Sequence, residues 1–166
     1  MLSKQLTQNP YQVIHVCNFA ELRQDISSSA KGLFSTKEFN AGEIICNFTA
    51  SVVLENPTYL TIQKGIKEHI IISPEFIQYT NHSCNPNVLF NTETMQLECL
   101  KHISIGDEMC FFYPATEWCM AQPFDCMCND AQCLHTIQGA KFLSKKILSK
   151  YTLTPFIQSM LQQHHL

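Results

Sequence analysis

Apolar positions in this chain fall in short runs separated by turn residues, with few long periodic stretches. Val13 to Phe19 is apolar and β-branched enough for a strand, and Ser27-Ser28-Ser29 before Ala30-Lys31-Gly32 reads as a loop. Gly32-Leu33-Phe34-Ser35-Thr36 begins a second strand, Asn40-Ala41-Gly42 turns it, and Glu43 to Phe48 supplies a third. Further strands are predicted at Thr58 to Ile62, His69 to Ile72, Val88 to Asn91, Met95 to Leu100 and Glu108 to Phe112. Turns are predicted at Lys64-Gly65, Asn91-Thr92-Glu93 and Ile105-Gly106-Asp107, and a helical turn at Pro74 to Tyr79. Closely repeated short strands argue for a mostly-β domain rather than a doubly wound sheet. Near-helical spacing returns only late. Phe142, Leu143, Ile147 and Leu148 within Ile137 to Lys150, and Phe156, Ile157, Met160 and Leu161 within Pro155 to Leu161, predict two C-terminal helices packed on the sheet.

Length and composition narrow this picture. With 166 residues and 45% hydrophobic content, one sizeable core is expected, and no linker or internal repeat divides the chain. The charged residues are 14 acidic and 11 basic, Arg23 being the one arginine, so no basic stripe exists to neutralise a phosphate backbone and direct nucleic-acid binding is disfavoured. Apolar runs such as Ile70-Ile71-Ile72 are far shorter than the roughly 20 residues that span a bilayer, so no membrane partner is expected. Met1 to Pro10 is polar and lacks the apolar core of a signal peptide, which predicts a cytoplasmic or nuclear protein. The terminal His164-His165 is expected to be a solvated tail.

Nine cysteines are many for a reduced compartment, and the odd number argues against a complete disulfide framework. Cys17, Cys46, Cys99, Cys110 and Cys119 read as small buried hydrophobes. Cys126, Cys128 and Cys133 form a C-x-C-x4-C array instead, which supplies three thiolates of a tetrahedral zinc site. A fourth donor must come from elsewhere. Cys84 is the leading candidate and His135 the alternative, with Cys119 weaker because its chain would have to loop back. If Cys84 ligates, folding of the tail and building of the Asn81 to Asn87 segment become one metal-dependent event.

Taken in order, the motifs resemble those of the SET-domain protein lysine methyltransferases with a cysteine-rich post-SET tail. Asn81-His82-Ser83-Cys84-Asn85-Pro86-Asn87 is similar to that family's N-H-S-C-x-P-N, and Gly106 to Tyr113 to its G-E-E-L-x-F-D-Y. Trp118 followed by Phe124-Asp125-Cys126-Met127-Cys128-x4-Cys133 resembles the post-SET pattern. Ala30-Lys31-Gly32-Leu33-Phe34-Ser35 with Ala41-Gly42-Glu43-Ile44-Ile45 resembles the opening segments, and together the matches run from about Lys31 to Gly139.

The resemblance implies a mostly-β fold of small curved sheets with a pseudoknot, a zinc-binding post-SET tail and C-terminal helices. Within one structural unit it places a SET domain over 1–123 (core about 12–114), the zinc motif over 124–140 and a helical extension over 141–166. It implies S-adenosylmethionine as methyl donor, zinc on Cys84, Cys126, Cys128 and Cys133, and a protein partner carrying a target lysine, on a histone tail or elsewhere. Cofactor contacts are implied for Lys31, Gly32, Leu33, Asn81, His82 and Tyr113. Tyr113 is the implied catalytic residue, orienting the amine. Phe111 stands where the family carries Phe or Tyr, and the absent hydroxyl implies methylation beyond the first step. Ala30 replaces the family's usual Gly, Phe48-Thr49-Ala50 replaces a common Tyr-x-Gly, and the stretch from Phe48 to Asn81 is about half the usual length. The competing reading is a catalytically silent, zinc-stabilised protein-binding module.

Overall fold

The computed structural model describes residues 10–164, so the polar segment read above as lacking a signal peptide, up to residue 9, and His165 lie outside the described residues. Thirteen short strands and two helices are present among them. In chain order the strands are β1 (Tyr11–Val16), β2 (Ala20–Asp25), β3 (Lys31–Ser35), β4 (Ile44–Asn47), β5 (Thr49–Leu54), β6 (Ile62–Gly65), β7 (Glu68–Ser73), β8 (Asn81–His82), β9 (Val88–Asn91), β10 (Gln96–Cys99), β11 (Cys110–Phe111), β12 (Phe124–Asp125) and β13 (Thr136–Ile137). The helices are α1 (Lys145–Leu148) and α2 (Pro155–Gln163).

Three antiparallel sheets of three strands each, ordered β1-β2-β3, β4-β10-β9 and β5-β7-β6, surround one core. That core gathers Leu33 from β3, Ile70 and Ile72 from β7, Val88 and Phe90 from β9, Leu97 from β10 and Phe111 from β11. Alternation explains which residues point inward: Ala20 and Leu22 of β2 are buried while Glu21 and Arg23 between them are not fully covered. The β9–β10 hairpin turns where the Asn91 side chain accepts from the Glu93 and Thr94 N–H groups, an Asx turn that ends the strand.

The site-bearing part is made by a crossing of distant segments. β8 and β11 pair in parallel, Asn81 beside Cys110 and His82 beside Phe111. Asn87 fastens the same crossing, its side chain donating to the Glu108 carbonyl at 2.8 Å and accepting from the Cys110 N–H at 2.8 Å. This is the place where the resemblance implies a pseudoknot. A second apolar cluster, with Phe112, Trp118, Ala140, Leu148, Ile157 and Met160, joins the chain after β11 to the C-terminal helices. α2 starts at Thr154, whose hydroxyl caps the Ile157 N–H and donates to the Ala115 carbonyl at 3.0 Å, with Pro155 in the first turn. Its Ile157 and Met160, three apart, form the buried stripe.

Several elements differ from the sequence expectation. The strand expected at Thr58 to Ile62 begins only at Ile62 and runs through the predicted turn at Lys64-Gly65. Thr58 and Thr61 exchange side-chain-to-backbone hydrogen bonds that hold a turn in competition with a ladder. Strands β2 and β5 were not expected: β2 is rich in Glu, Arg and Gln, and β5 is largely solvent-exposed. The long helix expected over Ile137 to Lys150 is instead β13, a 3-10 turn at Ala140–Phe142 and the four-residue α1. Gly139 divides them. Its φ of +119° is a glycine conformation that no helix accommodates.

Candidate active site and metal centre

The β12–β13 pair (Phe124 beside Ile137, Asp125 beside Thr136) closes the base of a loop that carries three cysteines. Asn129 and His135 take positive φ inside it, and the Cys126 N–H donates to the His135 carbonyl at 2.5 Å. Asp130 ties this loop to the Asn81–Asn87 segment by accepting from the Asn85 side-chain amide at 2.9 Å. The result brings the sulfurs of Cys84, Cys126, Cys128 and Cys133 within 4.8 Å of one another. His135, the alternative donor, is not in this group, nor is Cys119.

A tetrahedral ion with bonds of about 2.3 Å needs sulfurs about 3.8 Å apart. Cys84 and Cys126, at 3.9 Å, already meet that spacing. The thiols are also electrostatically unequal. Burial pushes Cys84 well above the ordinary thiol value and raises Cys126 to about 11. For Cys128 burial acts upward too, but hydrogen bonds led by the Asp130 and Cys84 N–H groups outweigh it and bring the thiol to about 7. Four ionised sulfurs this close would repel strongly without a cation between them, so the donor set fits zinc.

Beside the sulfurs lies a cavity of about 640 Å³. Ile62, Ile72, Ile77, Phe90 and Phe111 form its apolar wall, while Asn81, His82, Glu108, Tyr113 and Glu117 supply polar groups. Tyr59, Phe124 and Met127 also line it, and Cys126 and Cys128 join it to the metal centre. The volume and the sparse polar groups suit a small ligand. Acidic Glu108 and Glu117 line it and no Lys or Arg does, which suits cationic occupants such as a sulfonium and an ammonium.

Tyr113 is the best-anchored of the expected residues. Its N–H donates to His82 Nδ1 at 3.2 Å and its phenol donates to the Thr80 carbonyl at 3.3 Å. Burial, then the charges of Cys110, Glu108 and Glu117, push the phenol well above its ordinary value, so it stays protonated. Its ring lies 4.6 Å from that of Phe111, which stands edge-on to Phe90 at 4.9 Å. Because His82 Nδ1 accepts a hydrogen bond, the ring proton belongs on Nε2, which faces Cys84 Sγ at 3.4 Å. Burial lowers His82 to about 4 and keeps the ring neutral. Both nitrogens are thus engaged inside the protein.

The other expected cofactor residues sit differently. Lys31, Gly32 and Leu33 belong to β3 and are not among the cavity's lining residues. Leu33 is fully buried, and the Lys31 ammonium lies over the Tyr79 ring at 4.4 Å. Asn81 stands between β3 and the cavity, its amide donating to the Lys31 carbonyl at 2.8 Å and to Glu108 at 2.7 Å. Gly32 is needed by this packing: a Cβ there would meet Glu108 Oε1 at 2.6 Å and Asn81 Nδ2 at 3.2 Å. Glu108 and Glu117 were not singled out from the sequence. The signal for Glu117 was available, as the one charged residue within Phe111 to Trp118.

Comparison with known proteins follows the same residues. The SET domain family model matches residues 30–114. Methyltransferase flvH of Aspergillus flavus is 35% identical over 123 residues, which are 73% of this chain and 68% of that protein. Among solved structures, a Plasmodium falciparum chain described as a histone methyltransferase superposes with a TM-score of 0.44 at 21% identity, covering 59% of this chain and 95% of that one.

Proposed function

This chain belongs to the SET-domain family, and from that premise we propose that it is a methyltransferase that uses S-adenosylmethionine to methylate a lysine side-chain amine of a protein substrate. The observation that carries this reading is the meeting of Tyr113, Phe111, Asn81 and His82 at one cavity that Cys126 and Cys128 of the four-cysteine cluster also line. The metal centre couples the tail to this cavity: zinc on Cys84, Cys126, Cys128 and Cys133 would staple the wall that carries Phe124 and Met127 to the segment following β8. S-adenosylmethionine, when bound, supplies a methyl group on a cationic sulfur.

The protein's own residues do the rest. An amine entering the cavity leaves water for walls of Ile62, Ile72 and Phe111, which favours its neutral, nucleophilic form over the ammonium. The protonated Tyr113 phenol is aimed by Thr80, so its oxygen lone pairs are held in a fixed direction for orienting that amine. Phe111 presents a ring with no hydroxyl to hold a crowding water, which supports products beyond monomethyl-lysine. Asn81, the cavity residue that reaches the Lys31 carbonyl, would mark the cofactor side.

One observation favours the silent, protein-binding alternative: Lys31–Leu33 lie behind Asn81 and Glu108, away from the cavity lining. Titration of S-adenosylmethionine into the zinc-loaded protein separates the two. Binding together with isotope transfer to lysines of a whole lysate, read by mass spectrometry, supports the enzyme, and no binding at millimolar cofactor supports the module.

A further inference from the structure

Glu117 has no part in the chemistry so far, although it lines the same cavity as Tyr113 and Phe111 and is only 7% exposed. Its Oε1 accepts from the Gln63 N–H at 2.9 Å and from the Thr116 hydroxyl at 3.3 Å. Both hydrogen bonds end on Oε1, so Oε2, without a donor among the described residues, is the oxygen that this cavity-lining residue has left for an occupant. The Gln63 side chain in turn accepts from the Trp118 N–H at 3.0 Å, which ties the residue donating to the carboxylate to the residue that follows Glu117. A carboxyl group with one oxygen unpaired beside a largely apolar chamber is satisfied either by a proton or by a cation brought in by an occupant.

We propose that Glu117 receives the cationic amine of the substrate in this cavity and accepts its proton, an inference that rests on the lysine-methyltransferase reading above. An N–H bond of the ammonium breaks, the proton passes to Oε2, and the electron pair stays on nitrogen, leaving a neutral amine and a carboxylic acid. When the nitrogen has formed its bond to the methyl carbon and the sulfur–methyl bond has broken, with its electron pair returning to sulfur, the acid releases its proton to solvent. Burial supports this role by raising the carboxyl to about 7, with the Gln63 N–H and Thr116 hydroxyl pulling part of the way back, so the group is poised between its two forms near neutrality. Titratable groups on the surrounding elements are Tyr113 on the same segment, Lys64 on β6, Glu68 and His69 on β7, Lys141 after Ala140 and His164 against Trp118. Glu108 and His82 share the cavity wall. Tyr113 is coupled to Glu117, whose charge raises the phenol further.

The test uses the full zinc-loaded chain and Nα-acetyl-lysine methylamide as the probe. Carbon-13 NMR follows the Glu117 carboxyl through a pH titration with and without probe, and E117Q assigns the signal. The probe should lower the apparent pKa of Glu117, and E117Q should bind it about 10-fold or more weakly while remaining folded and still binding S-adenosylmethionine. Equal binding by wild type and E117Q, or a Glu117 titration unmoved by the probe, overturns the proposal. Should E117Q not fold, Glu117→Asp, which removes the glutamate carboxyl signal and keeps a carboxylate, assigns the resonance and the wild-type titration decides. Lysine methylation by the wild type without either effect would remove Glu117 and leave the enzymatic reading standing. Glu117-dependent probe binding with no methyl transfer to any lysine would do the reverse.

Discussion

Gly139 offers a quantitative check on how the cavity wall is held. With φ at +119°, an alanine there would occupy a backbone region that is essentially glycine's alone, at about 1–3 kcal/mol. Its Cβ would also stand 2.6 Å from the Trp118 carbonyl oxygen and 3.0 Å from the Cys119 Cα. Both are backbone atoms, so the clash can be relieved only by moving chain, an overpacking effect of about 1–3 kcal/mol more. The combined destabilisation is about 4 kcal/mol, which for a domain of this size lowers the melting temperature by about 8–16 °C. Gly42 is the control. Its φ of +89° carries a strain penalty for alanine, but nothing lies within 4 Å of the added carbon, so Gly42→Ala should cost about 1–2 kcal/mol. Calorimetry of both variants with zinc bound measures the difference. The contact matters to the site because Gly139 is flanked by hydrogen bonds from Met120 to Gln138, Ala140 to Glu117 and Lys141 to Trp118. Gly139→Ala should therefore reduce methyl transfer even at temperatures where the protein remains folded. A melting temperature within 2 °C of the Gly42→Ala value would refute the close packing of these two segments.

Four further outcomes are expected. Cys84→Ala should reduce bound zinc from about one ion per chain to a small fraction, by atomic absorption, and chelation should abolish activity before circular dichroism reports loss of the sheets; unchanged stoichiometry would remove Cys84 from the ligand set. Tyr113→Phe should lower kcat by about 100-fold in a folded, zinc-loaded protein, and retained turnover in a steady-state assay would take Tyr113 out of the mechanism. Phe111→Tyr should shift products toward monomethyl-lysine, read by mass spectrometry; a wild type that makes monomethyl-lysine alone would contradict the role given to Phe111. Because the folded-state value of Glu117 is raised from 4.5 to about 7, the native state holds a proton that the unfolded chain has lost in that interval. Stability should then fall by about 3 kcal/mol as pH rises from roughly 4.5 to 7, a slope absent from E117Q in denaturant titrations.

Local chemistry made the metal centre legible in the sequence. Three of its sulfurs lie within eight residues, and the fourth stands in a stretch of polar and turn residues where a buried thiol has few other reasons to be. Strands β9 and β10 were readable for a similar reason, since β9 is an apolar run and β10 alternates polar with apolar residues, with turn residues between them. Legibility ended where tertiary contacts decided. β2 is a strand because Arg23 lies over the Phe34 ring at 4.2 Å and its neighbours Ala20 and Leu22 face the core, none of which its composition announces. The apolar residues after Gly139 do have helical spacing, but the +119° φ of Gly139 and its backbone contact with Trp118 separate them from the residues before it. Glu117 lies between these cases: its place as the one charged residue in Phe111 to Trp118 was visible, but its pairing with Gln63, 54 positions away, was not.

The parallel union of β8 and β11 has a bearing on the order in which this molecule assembles. The hairpins on either side are stitched by neighbours in the chain, whereas this union closes a loop of roughly 30 residues with only two residue pairs, an entropic debt of about 3 kcal/mol met before any reward arrives. Until it closes, Asn81, His82, Phe111 and Tyr113 belong to separate stretches of polymer and no chamber exists between them. Ligand affinity in this protein therefore reports on the completion of a late, non-local step, and anything that delays that step delays function while most of the secondary structure is already in place.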